Sequence, residues 1–149
     1  MLVKIFSGAV SGIEATTITI EVNILWGAKF IIVGLPDNAV KESQQRVDSA
    51  LRNIGSKIPG KRIIVNLAPA DVKKEGSAYD LPLAVGILAA NEEIPATELP
   101  HFAMLGELSL DGSLLAVKGV LPIAINAKAE GFSHMIVPYE NANEAMLDI

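Results

Sequence analysis

Ser77 is the residue whose type and setting most invite chemistry. It follows Gly76 and precedes an apolar run in "KKEGSAYDLPLAVGIL", Lys73 to Leu88. A nucleophilic serine needs a base to take its proton, a histidine or a lysine of lowered pKa. The chain has two histidines, His101 and His134, and both adjoin expected strands. Pro82 has no N–H and is tolerated only in the first turn of a helix. The helix start therefore falls near Tyr79 or Asp80. Asp80 is expected to be the cap, because its carboxylate can accept the unpaired first N–H groups and suits the positive end of the helix dipole. Ser77 then belongs to a Gly-containing turn just outside the helix. That reading makes it part of a helix entrance rather than a nucleophile.

Other reactive patterns are weaker. "GSKIPGKR", Gly55 to Arg62, matches G-x-x-x-x-G-K except that Arg62 replaces the Ser or Thr that holds magnesium. It also leaves a helix and enters a strand, the reverse of a phosphate loop, so no helix N-terminus faces the anion. It reads as a basic turn bent at Pro59-Gly60. With no cysteine and two separated histidines, only carboxylates remain as metal ligands, and "ENANE" lacks the glycine and acidic alternation of a calcium loop. Glu107 and Asp111 read as solvent-facing or turn residues. Lys57, Lys61, Arg62, Lys73 and Lys74 lie close in sequence and read first as a solvated loop surface, with a contact set for DNA or a neighbouring subunit as the alternative.

The 149 residues suffice for one domain burying about two thirds of its unfolded surface. Half are hydrophobic, mean hydropathy is +0.40 and charged residues make up 19%. No apolar run approaches the roughly 20 residues of a membrane span, and "LPLAVGILAA" reads as a buried helix. "MLVKIFSG" lacks a basic region followed by an apolar core, so no secretory signal is expected. The absence of cysteine fits a reducing cytoplasm. Aromatic residues, at 5%, are too few for a base-stacking platform. A net charge of −5 gives no overall basic footprint.

These residues must be positioned by mixed elements. "LVKIF" predicts a strand ending at Ser7-Gly8. "TTITIEVNI" alternates, with Ile18, Ile20, Val22 and Ile24 on one face, and predicts a half-buried strand before a turn at "LWG". "KFIIVGLP" predicts a third strand. A helix follows, capped by Asp37 or Asn38, with Val40, Val47, Ala50, Leu51 and Ile54 on one face and Gly55 beyond its last turn. "RIIVNLAP" is a strand, "LPLAVGILAA" a helix and "NEEIPATELP" a loop. "HFAMLGELSLDGSLLAV" predicts a hairpin around Asp111-Gly112. "GVLPIAINAKAEG" is a helix, "HMIVP" a strand and "ENANEAMLDI" the start of a fourth helix. The mixture implies an α/β or α+β domain with a mixed sheet.

"GELSLDGSLLAVKGVLPIAINAKAEGFSHMIVPYEN" and "KKEGSAYDLPLAVGIL" resemble the Lon peptidase domain of the ribosomal-protein-S5-domain-2-like superfamily. In Lon the serine follows Gly-Pro, whereas Ser77 follows Gly76 directly. Aligned on the downstream helix, the Lon serine falls on Ala78. Its lysine belongs in the first turns after Gly119, where this chain has Val120, Leu121, Pro122, Ile123 and Ala124. Lys118 precedes that helix and Lys128 lies more than two turns along it. The resemblance therefore implies a dyad missing at least one member.

"VGLPDNAVKESQQRV", "NLAPADVKKEGSAYDLPLAVGIL" and "LGELSLDGSLLAVKGVLP" resemble the N-terminal domain of the magnesium-chelatase-like AAA+ ATPases related to the competence protein ComM, also called YifB. The likeness covers almost the whole chain. It implies a single Lon-like N-terminal domain over residues 1–149, excised from a longer protein. ATP and magnesium would then bind only in an AAA+ module beyond it, and no cofactor in this domain. Implied partners are that module, neighbouring subunits of a homo-oligomeric ring, and DNA, in the cytoplasm and away from membranes. Branch migration during natural transformation is the implied setting. Magnesium insertion into porphyrin does not follow from the family name.

Overall fold

In the computed structural model, which describes residues 1–56, 58 and 61–146, strand β1 (Leu2–Ser11) and strand β2 (Glu14–Trp26) form one long antiparallel pair. Their register runs from Leu2↔Asn23 to Ser11↔Glu14. β1 thus continues past the stop expected at Ser7-Gly8. The β-branched run of β2 gives it an unbroken partner, and cross-strand pairs stabilise a sheet more than any one residue's propensity breaks it. β2 likewise runs through the expected turn to Trp26, which pairs with Lys61. The Lys61 ammonium sits 4.8 Å from the Trp26 ring centroid, a cation–π contact that ties the two strand ends together.

Strand β3 (Phe30–Val33), helix α1 (Asn38–Asn53) and strand β4 (Lys61–Ala68) follow. Asp37 caps α1 by accepting the Val40 N–H at 2.8 Å. Val40, Val47, Ala50 and Leu51 are buried as their spacing requires. Ile54, expected on that face, is 60% exposed because the helix has ended before it. Helix α2 (Asp80–Ala90) is apolar almost all round, as a fully buried helix should be.

Beyond α2 come strand β5 (Phe102–Met104), the two-residue strands β6 (Glu107–Leu108) and β7 (Leu114–Leu115), and helix α3 (Val120–Ala129). Strand β8 (His134–Ile136) and the short helix α4 (Ala142–Met146), entered through a single 3₁₀ turn, complete the described chain. The expected long hairpin is split. Its first arm joins the main sheet as β5 beside β1, and only β6 and β7 pair around Asp111-Gly112. Asp111 accepts the Ser113 N–H at 2.9 Å. That hydrogen bond and the Ser113 hydroxyl hold its carboxyl below the usual range.

The six-stranded sheet has the order β3-β4-β2-β1-β5-β8. The β1–β2 and β2–β4 pairs are antiparallel, and the β3–β4, β1–β5 and β5–β8 pairs parallel. Alternation along β1 and β2 divides two cores. Ile5, Ile18, Ile20 and Val22 cluster with Leu83 and Ile87 of α2. On the other face the Ile123 side chain of α3 lies over Gly8, and Asn126 Nδ2 donates to Thr17 Oγ1 at 3.0 Å. The architecture is the mixed α/β domain expected of a Lon-like fold. No helix among the described residues is long and apolar enough to cross a membrane.

Candidate functional site

The segment between β4 and α2 is irregular, and a buried lysine holds it in place. Lys74 is fully buried, and its ammonium donates to the carbonyl oxygens of Gly34, at 2.7 Å, and of Pro69. Its backbone adds two further links: Lys74 N–H to Leu35 O at 3.0 Å and Asp37 N–H to Lys74 O at 2.9 Å. Burial lowers the ammonium's pKa, opposed by the charge of Asp71. Lys74 is therefore not a surface contact, contrary to its place in the expected basic set. Unlike its neighbours on the chain, it has its side chain turned inward by the loop.

Asp37 then joins two elements. Besides capping α1, its second carboxylate oxygen accepts the Gly76 N–H at 3.2 Å. That bond sets the turn from which Ser77 emerges. The Ser77 hydroxyl donates to Glu107 Oε1 on β6. Glu107, expected to face solvent, is thus half-buried and engaged. The cause is packing: β6 lies against the entrance of α2, where the Leu108 N–H also reaches Asp80.

Asp80 is also corrected. It does not cap α2: the capping position is Tyr79, and no side chain there accepts an N–H. Asp80 is instead the first helical residue, fully buried. Its carboxylate accepts from Ser43 Oγ, from Arg46 Nε at 2.6 Å and from the Leu108 N–H at 3.0 Å. The hydrogen bond to Asp80 raises the Arg46 pKa, against partial desolvation that lowers it. A buried carboxylate requires such partners. The backbone completes the clamp: Gly106 N–H donates to Ala78 O at 2.8 Å, and Leu81 N–H to Gly106 O at 3.0 Å. Ser43, Arg46, Tyr79 and Glu107 were not singled out from sequence as site residues. The available signal was an acidic residue at the head of an otherwise apolar helix.

Beside this cluster lies a groove of about 930 Å³, lined by β1 residues Gly8 to Ser11, by Ala78 and Tyr79, and by Lys118 and Gly119 at the start of α3. The Tyr79 hydroxyl donates to Gly8 O at 3.3 Å, and burial raises its pKa, aided by the charges of Asp37 and Glu75. Ala78 and Lys118 share the groove, whereas Ser77 is not among its lining residues. Lys128 is exposed at the far end of α3, about 12 Å along the axis from Val120 at 1.5 Å per residue. The arrangement gives Ser77 a carboxylate partner where nucleophilic activation calls for a histidine or lysine.

The described members of the basic set do not converge. Lys61 and Arg62 open β4 opposite Trp26 and Leu25, whereas Lys73 lines the groove beside Thr16. Thr16 and Trp26 are ten residues apart on β2, roughly 30 Å at the rise of a strand. Lys73 pairs with Glu75 at 3.5 Å. Lys57 lies outside the described residues. Among the described residues no group of three His, Asp or Glu could hold a metal ion.

Residues 20–141 match the family described as subunit ChlI of Mg-chelatase. The chain is 48% identical over 147 residues to the competence protein ComM of Haemophilus influenzae, covering 98% of this chain and 29% of that protein. It is 45% identical over 147 residues to the uncharacterized protein YifB of Salmonella typhimurium, with the same coverage. A more distant likeness, 33% over 109 residues, is to Lon protease 2 of Bacillus subtilis, covering 73% of this chain and 19% of the protease. The chain thus spans less than a third of the length of these relatives.

Proposed function

The chain belongs to the family of Mg-chelatase subunit ChlI, and from that premise we propose that it is a non-catalytic Lon-like domain serving as an assembly or DNA-facing platform for a ring ATPase that acts on DNA. One observation carries the non-catalytic part of this reading. The Ser77 hydroxyl is engaged by Glu107, and the groove next to it presents Ala78. The first turns of α3 hold Val120, Leu121, Pro122, Ile123 and Ala124, none of which can supply an amine. A scaffold of this kind keeps the rigid elements that position neighbouring modules while lacking a base for acyl transfer. The alternative, a serine peptidase working through Ser77 with Lys118 or Lys128, draws no support from this arrangement.

In this reading the ATP and magnesium sites lie in an AAA+ module outside this domain. The domain contributes contacts between subunits, or a surface on which DNA is held. The relative named a competence protein supports placing this role in transformation; branch migration of DNA is the activity proposed for the whole protein. The test compares the full-length protein with a version lacking this domain, by size-exclusion chromatography and by DNA-binding titration. Loss of ring assembly or weakened DNA binding is the expected result. Unchanged assembly together with unchanged DNA affinity would remove the platform role.

A further inference from the structure

The β1–β2 hairpin exposes apolar side chains at both of its ends. At the closed end Ser11 and Glu14 pair across the two-residue turn Gly12-Ile13. Gly12 takes the positive φ, 65°, and Ile13 does not, the pattern of a type II′ turn. Such a turn asks nothing of the Ile13 side chain, yet the position holds a branched aliphatic group that is 93% exposed. At the open end Trp26 is 87% exposed, and Met1 and Leu25 are exposed with it. These three residues and Ile24 line a pocket of about 420 Å³ beside Ala90 at the end of α2. One exposed apolar residue is ordinary. A projecting aliphatic knob at one end and an open apolar socket at the other are complementary.

Charge repeats the match. Glu14 follows Ile13 at the tip, is exposed, and enters no salt bridge among the described residues. Lys61 lines the socket, held over Trp26, and enters none either. Glu92 lines the same socket, and Lys118 shares the groove lining with Ser11 at the base of the tip. β2 runs from Glu14 to Trp26, roughly 40 Å at the rise of a strand, so no chain can seat its own tip in its own socket. We infer that this domain contacts a second copy of itself head to tail. The Ile13 tip of one copy enters the socket of Met1, Leu25 and Trp26 on the next, with Glu14 against Lys61. Two different surfaces meet at such a contact, so it repeats from copy to copy and closes into a ring where the rotation allows. A nucleic acid fits the socket less well, because one ring and one lysine stand there opposite a carboxylate, without a row of cations. The inference rests on the assembly part of the platform reading and specifies its contact.

The chain has no cysteine, so introduced thiols report the contact cleanly. Ser11→Cys and Leu25→Cys versions of the protein are mixed, treated with a short bismaleimide and resolved by denaturing electrophoresis with peptide mass mapping. A dimer joined through positions 11 and 25 should form in the mixture, and neither version alone should dimerise. Ile13→Asp, added to the Ser11→Cys chain, should lower the yield about tenfold, the loss expected for one buried aliphatic side chain. Glu14→Lys in its place should lower it about threefold, the size of one exposed ion pair. Lys61→Glu on the Leu25→Cys chain should then restore the yield. Absence of the mixed dimer, equal dimerisation of either version alone, or a paired charge reversal that restores nothing overturns the inference. If the mixed dimer is absent while removal of this domain still abolishes ring assembly of the full-length protein, the contact falls and the platform role stands. If the dimer forms while that removal leaves assembly unchanged, the contact stands and the assembly role falls.

Discussion

Arg46 Nε lies 2.6 Å from Asp80 Oδ2, joining a partly exposed guanidinium on α1 to a fully buried carboxylate at the first turn of α2. Ser43 and the Leu108 N–H take up the remaining acceptor capacity of Asp80. The pair thereby fixes three elements at one point: α1, α2 and the β6–β7 hairpin.

Removing Arg46 leaves that carboxylate buried without its counter-charge. Arg46→Met should cost about 3 kcal/mol, in the range for breaking a buried pair. Urea denaturation would register the loss as a lower midpoint at unchanged slope. The double variant Arg46→Met, Asp80→Asn should recover part of it, because no uncompensated charge remains. A single variant as stable as the parent protein would contradict the assigned role.

Tyr79 should make stability depend on pH on the alkaline side. Its pKa is raised in the folded protein by burial, and by the charges of Asp37 and Glu75. The phenol of the unfolded chain releases its proton from about pH 10, while the folded one retains it. The unfolded state then binds fewer protons, so stability present below pH 10 is lost as pH rises above it. Tyr79→Phe should flatten this decline in denaturation curves measured between pH 9 and 11, pH values chosen to bracket the unfolded phenol's pKa of about 10. An unaltered decline would assign it to other groups.

Gly34 and Gly55 both hold positive φ, at 104° and 88°, yet substitution should separate them. A Cβ at Gly34 would lie 2.1 Å from the Leu67 carbonyl oxygen, whereas one at Gly55 meets nothing within 4 Å. Gly55→Ala should cost about 1 kcal/mol, the ordinary penalty of left-handed backbone. Gly34→Ala should prevent the β3–β4 connection from forming and yield little soluble protein. Comparable melting temperatures for the two variants would refute the close approach.

Ser77 should behave as a structural hydroxyl. A fluorophosphonate probe should leave it unlabelled, since its hydroxyl bonds to the Glu107 carboxylate and, among the described residues, to no histidine or lysine. Ser77→Ala should cost about 1 kcal/mol by leaving Glu107 half-buried without its donor, and Ser77→Thr should restore most of that. Stoichiometric labelling at Ser77, detected by peptide mass mapping, would reopen the peptidase reading.

Much of this protein was legible from local pattern. The alternation of β2 and the apolar spacing of α1 specify their own faces. Asp37 announces a helix start through its side-chain type, and Pro82 limits where α2 can begin. The apolar run of α2 declares a helix without a solvent face. The blocks around "VGLPDNAVKESQQRV" were enough to place the chain in its family. Each of these signals is carried by residues within a turn or two of one another.

The site was decided by contacts that no local window contains. Ser43 and Asp80 meet across 37 positions, Arg46 and Asp80 across 34, and Ser77 and Glu107 across 30. Asp80 read alone is a cap; packed against α1 it is the centre of a buried charge cluster. Lys74 read alone is one cation of a basic run; folded, it is enclosed by the carbonyl groups of Gly34 and Pro69. A side chain's type sets which hydrogen bonds it can make. Only the packing of distant segments sets which partners come within reach, and whether water is left to compete for them.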